Sequence, residues 1–321
     1  MNHDYEQILV TGGAGFIGSH IVDRLLKEGF KVTVIDSLRT GSLENIAQHQ
    51  NNKHMRFIEG DIRDLGLVRK AMKDTDAIFH EAAIASPTFS IKDPILTDQI
   101  NLGGTLSLLK ASCDRNVKRF IYASSAAVYG DTKSPEMKED DLLRPMSPYG
   151  VTKLAAENYV RVFQKLYGLE TVSLRYFNVY GPRQKADVHG SYGGVISIFI
   201  NRILKGLPPT VHGDGGQTRD FVYIDDVVEA NMQAMTQNNA IGEAFNIATG
   251  KNTSINQIAE TLKHLMNRED LQNIHTEPRP ADRRHGYADI TKAKKILGYN
   301  PKFPIKEGLT EIVNQHSKKD D

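Results

Sequence analysis

A phenol and an ammonium stand four residues apart in SPYGVTK, Ser147 to Lys153. Ser147 can cap a helix whose first residue is Pro148, the position where a helix tolerates proline. Tyr149 then falls in the first turn, with Lys153 on the same face one turn later. A tyrosine hydroxyl ordinarily ionises near pH ~10. A close ammonium, or another cation beside it, favours the phenolate and lowers that value. Such a pair can act as a general base that takes a proton near neutral pH and later returns it. Tyr-x-x-x-Lys alone is a common pattern on helix surfaces, so the chemistry needs partners. One is offered by IYASSAAVYG, where Ser124 and Ser125 end an apolar run. Open parallel sheets bind ligands outside the carboxyl ends of their strands. A serine hydroxyl at such an end can share a substrate oxygen with Tyr149.

The second partner is a hydride acceptor. VTGGAGFIGSH carries Gly12, Gly15 and Gly18 at intervals of three, after an apolar run and before an amphipathic one. Glycines there permit a tight turn and let the backbone approach a pyrophosphate. The helix N-terminus that follows presents N–H groups and a positive dipole end. The next apolar run ends in Asp36, near the spacing at which an acid binds the adenosine ribose. An anion repels a 2′-phosphate, which favours NAD over NADP, although Arg39 nearby softens that preference. Asp61, in EGDI, is placed either to meet the adenine edge or to serve as a simple turn former.

These groups need a scaffold. QILVTGG, KVTVID, MRFIEGDI, DAIFHEAA, VKRFIYASS and ETVSLRYFN carry six short apolar runs, and helical patterns separate them. The alternation predicts an α/β fold with a doubly wound parallel sheet of the Rossmann type, covered on both faces. We read residues 1–178 as the NAD-binding domain. After Asn178 glycine and proline rise, and long loops surround VISIFINRILKG. Residues 179–321 are expected to form a smaller α/β substrate-binding lobe, with segments around 220–248 packing back on the first domain. Loops of that length inside a compact domain are usually functional.

Composition excludes several classes. Lys plus Arg is 40 and Asp plus Glu is 39 in 321 residues, a net charge of +1, so bulk charge favours neither nucleic acid nor a membrane surface. No apolar run approaches the ~20 residues of a membrane span, and MNHDYEQ is no signal peptide. A single cysteine, Cys113, permits no internal disulfide and suits a reducing cytoplasm. No metal site is expected.

Together these residues resemble the extended short-chain dehydrogenase/reductase family, and within it the UDP-galactose 4-epimerase group of nucleotide-sugar epimerases. The likeness runs through TGGAGFIGSH, FHEAA, NLGGT, SSAAVYG, SPYGVTKLAAE, RYFNVYGPRQ, GDGGQTRDFVYIDDV, FNIATG and RPADRRHGYADITKAKKILGYNP. It implies catalytic roles for Ser125, Tyr149 and Lys153. It implies NAD contacts from Gly12, Gly15, Phe16, Ile17, Gly18, Asp36, Asp61, Ile62, Ala82, Asn101, Tyr149, Lys153 and Tyr176. For the UDP-sugar it implies Ser86, Ser125, Asn178, Val195, Arg219 and Arg279, with Asp282 nearby. Two arginines suit a pyrophosphate.

Family dehydratases and decarboxylases carry an acid after the strand-end hydroxyl, where this chain has Ala126 and Ala127. Asn178 stands where uronate epimerases tend to have Thr, while Arg183 and Lys185 keep a uronic acid open. Pro87 and Ala281 depart from the family pattern. Gly286 falls on a position that in the family gates the sugar ring; its small size implies room for a 2-acetamido group, unless it is only a turn glycine. The implied activity is reversible C4 epimerisation of a UDP-hexose through a 4-keto intermediate, with UDP-GlcNAc accepted as well as UDP-Glc, in a cytoplasmic homodimer. A UDP-glucuronate 4-epimerase, a dehydrogenase that releases NADH, and a non-catalytic NAD-binding regulator are the alternatives.

Overall fold

Seven strands line up in one parallel sheet. They are β1 (Gln7–Thr11), β2 (Lys31–Asp36), β3 (Met55–Glu59), β4 (Ala77–His80), β5 (Arg119–Ser125), β6 (Glu170–Tyr176) and β7 (Ala244–Ile247), in the spatial order β7-β6-β5-β4-β1-β2-β3. The structure is a computed structural model that describes residues 5–132, 134–185, 187–188, 191–192, 194–278 and 283–317. The expected doubly wound parallel sheet is the fold that forms. Chain order reverses between β1 and β4, where Thr11 pairs with His80. Ligands of open α/β sheets lie in the crevice at such a reversal.

Period-two alternation fills both faces. Ile8, Val10, Phe79 and Ile121 point to one core with Ile21, Val22 and Leu25 of the helix Phe16–Lys27 and Val227 of the helix Ile224–Thr236. Leu9, Ile78, Phe120 and Tyr122 point to the other. There they meet Leu108 and Leu109 of the helix Gly104–Asp114 and Val160 of the helix Pro148–Tyr167. β4, AIFH, is buried at every position, as a central strand covered on both faces must be, and its one polar residue, His80, is hydrogen-bonded.

β7 comes from EAFNIATG, beyond Asn178, and joins the sheet through β6. The rest of the C-terminal part is built from short pairings. Asn178–Tyr180 runs parallel to Phe221–Tyr223, Thr218–Arg219 runs antiparallel to Thr253–Ser254, and Tyr287–Ala288 runs parallel to Glu136–Met137. Asp220 staples these pieces together. Its carboxylate accepts from the Thr249 hydroxyl at 2.6 Å and from the backbone N–H groups of Thr249, Gly250 and Ala288 at 2.8, 2.8 and 3.2 Å. This packs the loops carrying Asn178 and Arg219 against the carboxyl ends of the strands.

Candidate active site

The glycine turn leaves β1 and enters the helix Phe16–Lys27. Gly12 has φ +70°, and a Cβ there would lie 2.7 Å from the Ala82 nitrogen; at Gly18 it would lie 2.2 Å from the Gly12 carbonyl oxygen. Only hydrogen fits at either place. The bare turn walls a cavity of about 230 Å³ lined by Gly12, Gly15, Phe16, Ile17, Gly18, Asp36, Asp61, Ile62 and Ala82, with Glu81 and Arg39 also at its edge. Asp36 is aimed by two backbone donors, Ala14 N–H at 3.0 Å and Leu38 N–H at 2.8 Å. Burial raises its pKa against their pull. Asp61 is held by Arg63, which contacts it through both backbone and guanidinium and keeps it ionised. A pyrophosphate-sized cradle, a helix N-terminus and an acid beyond it fit a dinucleotide such as NAD.

Asn101 lies one layer below, in a single π turn, Gln99–Gly103. Its amide accepts from Ile84 N–H at 2.8 Å and donates to Ile84 O at 3.1 Å, which pins the segment Ala82–Ala85 along the cavity. His80 is fully buried between the hydroxyls of Thr11 and Thr105, each 2.8 Å away. Burial pushes it down to about 3, so it is neutral at working pH.

The proton-handling group assembles where β5 ends. Ser147 caps the helix Pro148–Tyr167 by accepting from Gly150 N–H at 3.1 Å, and Pro148 opens the first turn. Tyr149 thereby meets the end of β5, where it and Ser125 line the same cleft. Ser125 Oγ accepts from Ala127 N–H at 3.1 Å, which leaves the Ser125 proton available. Lys153 donates to the Ala123 carbonyl at 2.8 Å and lies 5.1 Å over the Tyr122 ring. Burial lowers it to about 8, with the Glu81 carboxylate acting in the opposite sense. One expectation is reversed. Burial holds Tyr149 above its ordinary value, the Ser125 hydroxyl pulls it down, and Glu81 pushes it up. The ammonium is turned to a backbone carbonyl, and the neighbour that favours the phenolate is Ser125.

Above this group opens a cleft of about 610 Å³. Ser125, Tyr149, Tyr176, Asn178, Val195 and Arg219 line it, with Ala126 and Ala127 at the strand end. Asn178 donates to Asp220 O at 2.9 Å. Ser86 is buried and caps the short helix Pro87–Lys92, accepting from Phe89 N–H at 3.0 Å between the lining residues Ala85 and Pro87. Pro87 occupies the first helical position, which accounts for a proline there. Gly286 is not among the lining residues. A Cβ on it would meet the Met137 methyl at 2.8 Å and Arg283 Cδ at 3.2 Å. Arg279, Ala281 and Asp282 lie outside the described residues.

A family model described as the NAD dependent epimerase/dehydratase family matches residues 8–248. This chain belongs to that family. Among solved structures it is similar to the UDP-glucose 4-epimerase of Thermotoga maritima with UDP-glucose (39% identity, 98% of this chain and 100% of that one, TM-score 0.91). It is also similar to the UDP-N-acetylglucosamine 4-epimerase of Methanobrevibacter ruminantium in complex with UDP-N-acetylmuramic acid (36%, 99% and 100%, 0.93). A third is the UDP-glucuronic acid 4-epimerase of Bacillus cereus in complex with UDP-glucuronic acid and NAD (36%, 98% and 99%, 0.90).

Within this family member, sequence reasoning gave no role to two residues. Glu81 was visible as a carboxylate directly after the buried strand AIFH. Asp220 was visible only as part of TRDFV, and its partners come from 249–250 and 288, too far along the chain for spacing to reveal.

Proposed function

We propose that this chain inverts C4 of a UDP-hexose through a 4-keto intermediate. The observation that carries the reading is the placement of Tyr149 and Ser125 together on the wall of the large cleft, beside the cavity walled by the glycine turn. NAD, held by the Gly12–Gly18 turn and Asp36, supplies the hydride acceptor and donor and a positive charge that favours the tyrosinate. Tyr149 takes the proton of the sugar 4-hydroxyl and gives one back to the 4-keto oxygen when reduction returns. Ser125 hydrogen-bonds that oxygen together with Tyr149. Lys153 remains a buried cation on the side of the helix that faces β5. Ala126 and Ala127 offer no acid to move a second proton, which speaks against elimination. Arg219, with Arg279, holds the diphosphate, so that the nucleotide stays clamped while the keto sugar presents its other face.

A second copy of the chain is part of the proposal. Val151, Tyr159, Val162 and Leu166 form an exposed stripe on the helix Pro148–Tyr167, with Leu166 72% exposed. The exposed Ile91 and Ile95 lie on short helices packed near it. The activity is tested by incubating purified protein, with NAD added, separately with UDP-glucose, UDP-GlcNAc and UDP-glucuronate, and resolving C4 epimers by chromatography. Product from UDP-glucose or UDP-GlcNAc is expected. Product from UDP-glucuronate alone would replace the hexose by a uronate, and no product from any of the three would sink the epimerase reading.

A further inference from the structure

Glu81 has no part in the mechanism above, yet it sits at the reversal of the sheet, between the two cavities. Its backbone N–H donates to Thr11 O at 3.1 Å, which fixes the residue just past β4. It lines the cavity beside the glycine turn and is half-buried.

The Tyr176 hydroxyl has two acceptors in reach, Glu81 Oε1 at 2.8 Å and Asn231 Oδ1 at 3.1 Å, and the Glu81 oxygen is the nearer. Asn231, fully buried on the helix Ile224–Thr236, donates through Nδ2 to the Tyr176 oxygen at 2.8 Å and to Val227 O at 2.9 Å. Tyr176 has a single proton, and a Glu81 oxygen stands 2.8 Å away to receive it. Asn231 therefore orients Tyr176, and Tyr176 donates to Glu81. Tyr176 in turn lines the substrate cleft.

The charges converge on the same carboxylate. Tyr176 of β6 contacts it directly, and the charge of Glu81 also acts on Lys153 and Tyr149 of the helix Pro148–Tyr167 and on Tyr122 of β5. His80 on β4 is neutral. Lys153 is buried, and its described hydrogen bond is to a neutral carbonyl. Among the described residues, Glu81 is the carboxylate whose charge acts on Lys153.

We propose that Glu81 is a positioning residue of the active centre: it anchors the Tyr176 hydroxyl and supplies the countercharge that keeps Lys153 protonated beside Tyr149. The assignment rests on the epimerase reading for its role in turnover, but the charge coupling exists in the chain itself. Burial works against both charges, raising Glu81 to about 7 and lowering Lys153 to about 8, and each charge partly offsets that effect on the other.

The test follows Lys153 directly. Full-length protein labelled with ¹³Cε-lysine is titrated by NMR, with the Lys153 signal assigned from a Lys153→Met variant. The wild-type signal is expected to titrate near about 8. In Glu81→Gln, which keeps the shape and an acceptor for Tyr176, the midpoint should fall by roughly 1 pH unit. The alkaline limb of kcat/KM, measured with saturating NAD, should move the same way. Tyr176→Phe keeps the carboxylate and should give a smaller shift. An unchanged Lys153 midpoint in Glu81→Gln overturns the proposal, as does a loss of activity that is equal at every pH. If the wild-type protein makes no C4 epimer, the proposed function fails, and the NMR midpoint still decides the role of Glu81.

Discussion

At the scale of single residues, the site is a balance between burial and hydrogen bonding. Tyr149 is 8% exposed, which resists ionisation, and Ser125 is the neighbour that opposes this. Tyr149→Phe should lower kcat by roughly 10²–10⁴, the usual range for a lost general acid-base. Its thermal unfolding should stay close to that of the wild type. A Phe variant with full activity would remove the tyrosine from the mechanism. Glu81 has a consequence for stability as well as for Lys153. Its folded pKa, about 7, lies above the ordinary 4.5. The stability it contributes is complete below about pH 4.5 and is lost as pH rises through about 7. Glu81→Gln should therefore gain Tm relative to wild type between pH 5 and 8, read by unfolding scans at a series of pH values. A gap that is flat across that range would contradict the assignment. The residue types of the centre were legible from Ser125, Tyr149 and Lys153. Their charge states were not. That Lys153 turns to Ala123 O depends on a neighbouring strand whose distance no local spacing encodes.

At the scale of elements, position comes from caps and turns. The Ser147 cap fixes the turn in which Tyr149 stands, so Ser147→Ala should cost about 1 kcal/mol of stability. It should also lower kcat more than NAD affinity, which calorimetry and steady-state kinetics together would resolve. Gly12→Ala should do the reverse. Its Cβ would press on the Ala82 backbone at a φ of +70°, so NAD binding should be lost while UDP affinity is kept. Six strands were legible because buried parallel strands are rich in apolar residues on both faces. The seventh, Ala244–Ile247, is four residues long and is defined by pairing with Glu170–Tyr176, a contact remote in sequence. The surroundings of Gly286 were hidden for a similar reason. Met137 and Arg283 meet over it only once Tyr287–Ala288 has paired with Glu136–Met137.

At the scale of the whole molecule, the C-terminal loops are held over the sheet by one buried carboxylate. Asp220→Asn would leave four donors facing a weaker acceptor, and we expect a loss of roughly 1–3 kcal/mol in denaturant unfolding. The exposed stripe on the helix Pro148–Tyr167 predicts a second association. Leu166→Glu with Val162→Glu should convert a dimer to a monomer by light scattering, and a wild-type monomer would end that part of the proposal. The central claim is that hydride leaves C4 and returns to it within one bound complex. The direct measurement is mass spectrometry of UDP-[4-²H]glucose, or the 2-acetamido analogue, turned over by NAD-saturated protein. The account predicts a C4 epimer that keeps its deuterium at C4. Release of the label to water, or no epimer from either substrate, would contradict it.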